Sequence, residues 1–102
     1  MALLPNQVRF LRGLAHHRRP IVSVGRQGLR ESVIEELDRA LDQHELVKVK
    51  VAIGDRQVRH STIAELCQQT QAECLQTIGM TAVLFRRNPK NPVIDLSAVP
   101  GH

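Results

Sequence analysis

The apolar positions divide the chain into alternating helical and extended runs. Over Pro5–Ala15, Val8, Leu11, Leu14 and Ala15 recur at helical spacing, with Phe10 beside them and Arg9 and Arg12 on the other side. Pro5 suits a first-turn position, and Pro20 requires that helix to stop by Arg18. Ile21–Val24 is a short apolar run of β-formers. It leads into Gly25-Arg26-Gln27-Gly28 and then into the clearest helix, Leu29–Gln43. There Leu29, Val33, Ile34, Leu37, Ala40 and Leu41 form one stripe, and Glu31, Glu35, Glu36, Asp38 and Asp42 fill the outer face.

Glu45–Ile53 alternates Val47, Val49, Val51 and Ile53 with Lys48 and Lys50, the pattern of a strand with one buried face. Arg56–Gln71 predicts a third helix with Val58, Ile63, Leu66, Cys67 and Thr70 inward. Glu73–Ile78 and Met80–Arg87 predict two strands around Gly79, a hairpin that lacks a strong two-residue turn signal. The order α-β-α-β-α-β-β contains two strand–helix–strand units. These predict parallel pairs with right-handed crossovers and a final antiparallel strand. Two lysines in mid-strand argue against a sheet buried on both faces. The expected fold is an α/β two-layer sandwich, a mixed four-stranded sheet with three helices. Residues 1–87 are expected to form one domain. Residues 88–102, with three of the five prolines, are expected to be an irregular tail.

Composition narrows the function. A chain of 102 residues supports one core and leaves little room for a buried catalytic cavity. Aromatic residues are 2% of the chain, Phe10 and Phe85, so broad base-stacking platforms are ruled out. Net charge is +4 and the pI is about 9.8, a mild pointer to a polyanion. Cys67 and Cys74 form no C-x-x-C pair and have no histidine cluster at metal-ligand spacing, so reduced thiols and no metal or other cofactor are expected. Met1–Leu4 is too short for the apolar part of a signal peptide, and no run approaches the length of a membrane span. A cytoplasmic monomer with no membrane contact is the expectation.

The chemistry concentrates at Gly25–Gly28. Glycine admits positive φ and lets a phosphate approach without a Cβ in the way. The first amides of a following helix lack internal partners, and the helix dipole favours an anion there. Arg26 adds a mobile cation and Gln27 a donor, whereas Glu31 in the first turn works against an anion. Gly-x-x-Gly before a helix is also how the KH module clamps an RNA backbone. By itself such a loop is more often a plain turn that needs glycine for its geometry. Basic residues flank it: Arg9, Arg12, His16, His17, Arg18 and Arg19 before, Arg30 after, with Lys48 and Lys50 on the second strand and Arg86, Arg87 and Lys90 at the chain's end. No nucleophile or carboxylate sits beside His16 or His17, and no Gly-Lys-Ser/Thr follows Gly28, so an enzyme is not expected.

Several blocks together resemble the CRM domain, whose free-standing bacterial form is the YhbY-like family of ribosome-associated RNA-binding proteins. They are Leu11-x-x-Leu14-Ala15-His16, Pro20-Ile21-Val22-x-Val24-Gly25-x-x-Gly28-Leu29, Ala40-Leu41-x-x-His44-Glu45-Leu46-Val47-Lys48-Val49-Lys50 and Gln76–Arg86. The resemblance runs from about Pro5 to Arg87. It implies a fold similar to the C-terminal domain of bacterial translation initiation factor three. It also implies RNA binding linked to maturation of the large ribosomal subunit, with the glycine loop as an RNA contact. The chain departs from the family pattern at Arg30, where a small hydroxyl residue is common, at Gln71, where the helix end lacks its left-handed glycine, and at Phe85, which replaces a common tyrosine.

With what the resemblance implies, the expectation is a non-catalytic RNA-binding protein acting on ribosomal RNA in precursors of the large subunit. Its candidate contacts are Gly25, Arg26, Gln27, Gly28, Arg30, Arg12, His16, Arg18, Arg19, Lys48, Lys50, Arg86 and Arg87. The other reading is a protein–protein adaptor that docks on ribosomal particles through the acidic helix 29–43.

Overall fold

A computed structural model describes residues 3–99. Its elements are α1 (Pro5–His16), β1 (Val22–Val24), α2 (Glu31–His44), β2 (Leu46–Val51), α3 (Arg56–Thr70), β3 (Glu73–Ile78), β4 (Thr81–Phe85) and a 3-10 turn, Leu96–Ala98. The strands form one mixed sheet in the order β1-β2-β4-β3.

β1 runs parallel to β2, pairing Val22 with Val49, Ser23 with Lys50 and Val24 with Val51. The second strand–helix–strand unit does not make an adjacent parallel pair. β4 inserts between β2 and β3 and is antiparallel to both. The cause is the hairpin: Ile78 pairs with Thr81 across a two-residue Gly79–Met80 loop, and Gly79 takes a φ of 57°. A helix-long return from β2 to β3 thus leaves one strand-width for β4 to fill.

Alternation along the strands sorts the side chains into two clusters. Val22, Val24, Val47, Val49, Val51, Ala82 and Leu84 face Leu37 and Leu41 of α2 and Ile63 and Leu66 of α3. On the reverse face Leu46, Leu75, Val83 and Phe85 meet Leu11 and Ala15 of α1, together with Ile94 and Leu96. Side chains of this kind contribute roughly 1.5–3 kcal/mol each when fully buried. The apolar stripe expected along α2 is the one that packs, with Leu29, Val33, Ile34 and Ala40 at its margin. Val58 is the exception in α3. It sits in the first turn and is 49% exposed, so the inward stripe there starts at Ile63.

The reverse face is therefore covered at its β3–β4 end, and Lys48 and Lys50 lie on the part that α1 leaves open. Residues 88–99 are irregular apart from the 3-10 turn, yet they bury Ile94 and Leu96. The rest of the expected tail, residues 100–102, lies outside the described residues.

Two helix ends need left-handed backbone without glycine. Gln71 closes α3 at φ 59° and ψ 33°, taking the conformation that the missing glycine would have supplied. Glu45 closes α2 at φ 61° instead of opening the next strand, and its carbonyl accepts from the Arg86 N–H. The Glu45 side chain is 1% exposed, and its carboxylate accepts from the amides of Asn88 at 2.6 Å, Val93 at 2.8 Å and Ile94 at 2.7 Å. One buried acid thus fastens the chain's last segment. Burial pushes its pKa up, but the three amides and the positive charge of Arg87 outweigh that and hold it below the ordinary value.

Two outcomes follow for stability. Gln71→Gly is expected to stabilise the fold by about 0.5–1 kcal/mol, because glycine takes the left-handed position without strain; a denaturant midpoint measures it. Glu45→Gln is expected to cost about 1–3 kcal/mol at neutral pH through the lost charge-assisted bonds. The folded pKa of Glu45 is depressed, so its contribution is complete above the ordinary carboxylate range. It disappears as pH falls below about 4, through the depressed value. Urea midpoints taken down the acid limb should fall less steeply in the variant than in the parent.

Candidate nucleic-acid interface

Because β1 and β2 are parallel neighbours, their carboxyl ends lie at the same edge of the sheet. The turn after β1 is Gly25–Arg30, and the turn after β2 is Ala52–Asp55. The Ala52 N–H donates to Val24 O at 2.9 Å, holding the two turns side by side. The N-termini of α2 and α3 therefore open toward the same end, the position where open α/β sheets bind ligands.

The glycine loop is a reverse turn. The Gly28 N–H donates to Gly25 O at 3.1 Å, and Gly28 takes a φ of 78°. Gly28 is thus explained by backbone geometry. Gly25 is not: its φ is not positive, and an added Cβ would meet nothing within 4 Å. Arg26 and Gln27 are exposed at the tip.

α2 does not begin directly at the loop. Half-buried Leu29 and exposed Arg30 form a two-residue spacer, and the helix starts at Glu31. Arg30 is the N-cap residue and makes no side-chain cap bond; its carbonyl accepts from the Val33 N–H, and no side chain caps the first turn of α2. Across the gap, Asp55 does cap α3, its Oδ1 accepting from the Val58 N–H at 3.0 Å.

The other expected contacts separate into groups. Lys50 is exposed on the reverse face, paired in register with Ser23 and Thr81, and so flanks the loop end. Lys48 is half-buried, its Nζ donating to Arg18 O at 3.1 Å, and Arg18 Nη1 donates to Leu46 O at 2.9 Å. Arg19 is exposed beside them, and His16, also exposed, ends α1 with its ring against that of His17. This second group sits at the start of β1, while the loop sits at its end. Five residues separate Arg19 from Gly25, six steps that span at most about 22 Å of extended chain.

Three residues fall elsewhere. Arg12 donates from Nε to Leu75 O at 2.8 Å, at the β3 edge, the opposite edge from β1. Arg86 and Arg87 follow β4, and the register pairs Phe85 with Leu46, at the start of β2. The loop lies beyond the other end of β2, roughly 17 Å away at a strand rise of about 3.3 Å per residue. The expectation that Arg86 and Arg87 adjoin the loop is therefore corrected by strand direction. Arg86 also has structural partners: its guanidinium bonds Asp38 and Asp42 of α2 and Thr70 O at the end of α3.

Two arginines that the sequence reading passed over stand at the loop end. Arg56 opens α3 and is exposed. Arg59, one turn on, wraps the second turn, donating from Nη1 to Ile53 O at 2.8 Å and Gly54 O at 3.3 Å. The signal was available in principle. A strand followed by Gly54-Asp55 and a helix repeats the first turn's context, but it lacks a paired glycine motif to draw attention.

Burial and the nearby Cys74 push the Cys67 thiol up to about 11, and burial also raises Cys74, so both are protonated and poorly nucleophilic at neutral pH. Among the described residues no group of three His, Cys, Asp or Glu side chains is placed to hold a metal ion. No helix of the described residues is long and apolar enough to cross a membrane.

Known proteins share this architecture. A protein named "Probable RNA-binding protein" from Pseudomonas aeruginosa is 42% identical over 90 residues, 88% of this chain and 86% of its own length. A Haemophilus influenzae protein named "RNA-binding protein" is 46% identical over 84 residues, 82% of this chain and 85% of its own. The solution structure of a hypothetical protein from Staphylococcus aureus superposes with a TM-score of 0.79 at 32% identity, covering 97% of this chain and all of that one. The CRS1 / YhbY (CRM) domain model matches residues 3–86, taking in every helix and strand around the glycine loop, and the chain belongs to that family.

Proposed function

We propose that this protein binds RNA, and specifically ribosomal RNA in precursors of the large ribosomal subunit, as a non-catalytic assembly factor working as a monomer in the cytoplasm. The observation that carries the reading is Gly25. Neither backbone angle nor internal space requires a glycine there, whereas a phosphate approaching the loop does. The uncapped start of α2, the exposed Arg26 and Arg30, and Lys50 on the adjoining face supply amides and positive charge for that phosphate. Family membership and the RNA-binding names of two relatives support the same reading.

Arg26 contributes a phosphate contact, so binding falls with salt through counterion release. Arg18, Arg19 and Lys48 extend the basic surface along β1. Arg86 belongs to the fold, and Arg12 and Arg87 lie too far from the loop to share one phosphate with it. The adaptor reading loses two carboxylates of the acidic helix, because Asp38 and Asp42 already bond Arg86.

The test is binding of a large-subunit ribosomal RNA transcript across a salt series. Gly25→Ala is expected to leave the denaturant midpoint unchanged and weaken binding at least several-fold. Arg26→Ala is expected to weaken it and lower the slope of log K against log salt by about one. Gly28→Ala is expected to cost about 1–2 kcal/mol of stability, since it forces a side chain into left-handed backbone. Full binding by both Gly25→Ala and Arg26→Ala, or loss of particle association only on charge reversal at Glu35 and Glu36, would overturn the proposal.

A further inference from the structure

A groove of about 250 Å³ opens at the other end of β1, lined by Arg18, Arg19, Ile21, His44, Leu46, Val47 and Lys48. Its volume lies just below the range for drug-sized ligands and suits one planar ring system. Its apolar surface is the exposed Ile21, with the buried Leu46 and Val47 behind it, and the rim is basic, from Arg18, Arg19, Lys48 and His44. Ile21 is 53% exposed although it is a large apolar residue, and its N–H donates to Lys48 O at 3.1 Å, which fixes the backbone on which it stands.

The rim is also pre-arranged. Arg18 Nη1 bonds Leu46 O, and Lys48 Nζ bonds Arg18 O, so the two cations are held by the groove's own backbone. Groups already ordered in the free protein lose less entropy on binding. This combination, an apolar slot beneath fixed and mobile cations, matches a nucleotide: an apolar face for the base, positive charge for its phosphate. The chain has no Trp or Tyr, so in this groove the guanidinium planes of Arg18 and Arg19, the His44 ring and the exposed Ile21 are the surfaces on which a base can stack.

We propose that this groove takes a single nucleobase of a bound RNA strand, with the adjoining phosphate on Arg19, Lys48 and His44. The proposal rests on the RNA-binding reading and adds to it a second contact at the far end of β1. The loop then grips the backbone at one end of β1 while the groove holds a base at the other.

The test titrates uridine 5′-monophosphate, adenosine 5′-monophosphate and ribose 5-phosphate into isotopically labelled full-length protein, following amide shifts by NMR. Either nucleotide is expected to shift Ile21 and Leu46–Lys48, and ribose 5-phosphate much less. Ile21→Ala, at an exposed position, is expected to reduce those shifts and to weaken binding to the ribosomal RNA transcript several-fold without changing the salt slope. Arg19→Ala is expected to lower the slope by about one. Equal shifts with ribose 5-phosphate would mean a phosphate site without base recognition and would overturn the proposal. So would shifts confined to Gly25–Gly28, or unchanged transcript binding by Ile21→Ala while Arg26→Ala binds poorly. That last pattern leaves the RNA-binding reading intact, whereas a parent protein that ignores the transcript at low salt removes both.

Discussion

Three in-register pairs, Val22 with Val49, Ser23 with Lys50 and Val24 with Val51, decide where the glycine loop of this protein lies. Parallel pairing forces the chain to cross back through α2, and it places the two strand-to-helix turns at one end of the sheet. The glycine loop, the uncapped start of α2 and the arginines at the start of α3 share that end because β1 and β2 point the same way. Were β1 antiparallel to β2, the loop would face the opposite end, beside Arg86.

The same strand directions explain how charge is partitioned. The acidic face of α2 needs a cation near its carboxyl end, and β4 delivers Arg86 there, between Asp38 and Asp42. That pairing withdraws one arginine from any ligand and neutralises part of the helix that would otherwise repel a polyanion. Of the exposed cations, Arg19, Arg26, Arg30 and Lys50 lie around the two ends of β1, whereas Arg12 lies at the β3 edge and Arg87 follows β4.

Glu45 joins these parts. It ends α2 in strained backbone, precedes β2, and collects the amides of Asn88, Val93 and Ile94 on a buried carboxylate. A residue in left-handed conformation costs of order 1–3 kcal/mol and persists where its surroundings over-determine it. Here the surroundings are three charge-assisted bonds and the apolar cluster of Ile94 and Leu96. The last segment thereby covers the β4 side of the reverse face and leaves the β1–β2 side, with Lys48 and Lys50, open.

Periodicity by itself determined the three helices, the four strands and, Val58 apart, the sides they bury. The stripes Leu11–Ala15, Val33–Leu41 and Val47–Val51 leave one way to remove apolar surface from water. It also located the Gly-x-x-Gly loop between a strand and a helix. Local pattern said nothing of what depends on distant chain. It could not show that β4 would insert beside β2, since antiparallel pairing at a two-residue turn is settled by the hairpin and not by β2. It could not separate Arg86, bonded to α2, from Arg26, facing solvent, because both are arginines after an apolar run. It read Glu45 as the first residue of a strand, although its partners lie more than forty positions away. The elements came from spacing along the chain. The end of the sheet at which the glycine loop lies, and which cations lie beside it, came from strand direction, which only the assembled sheet decides.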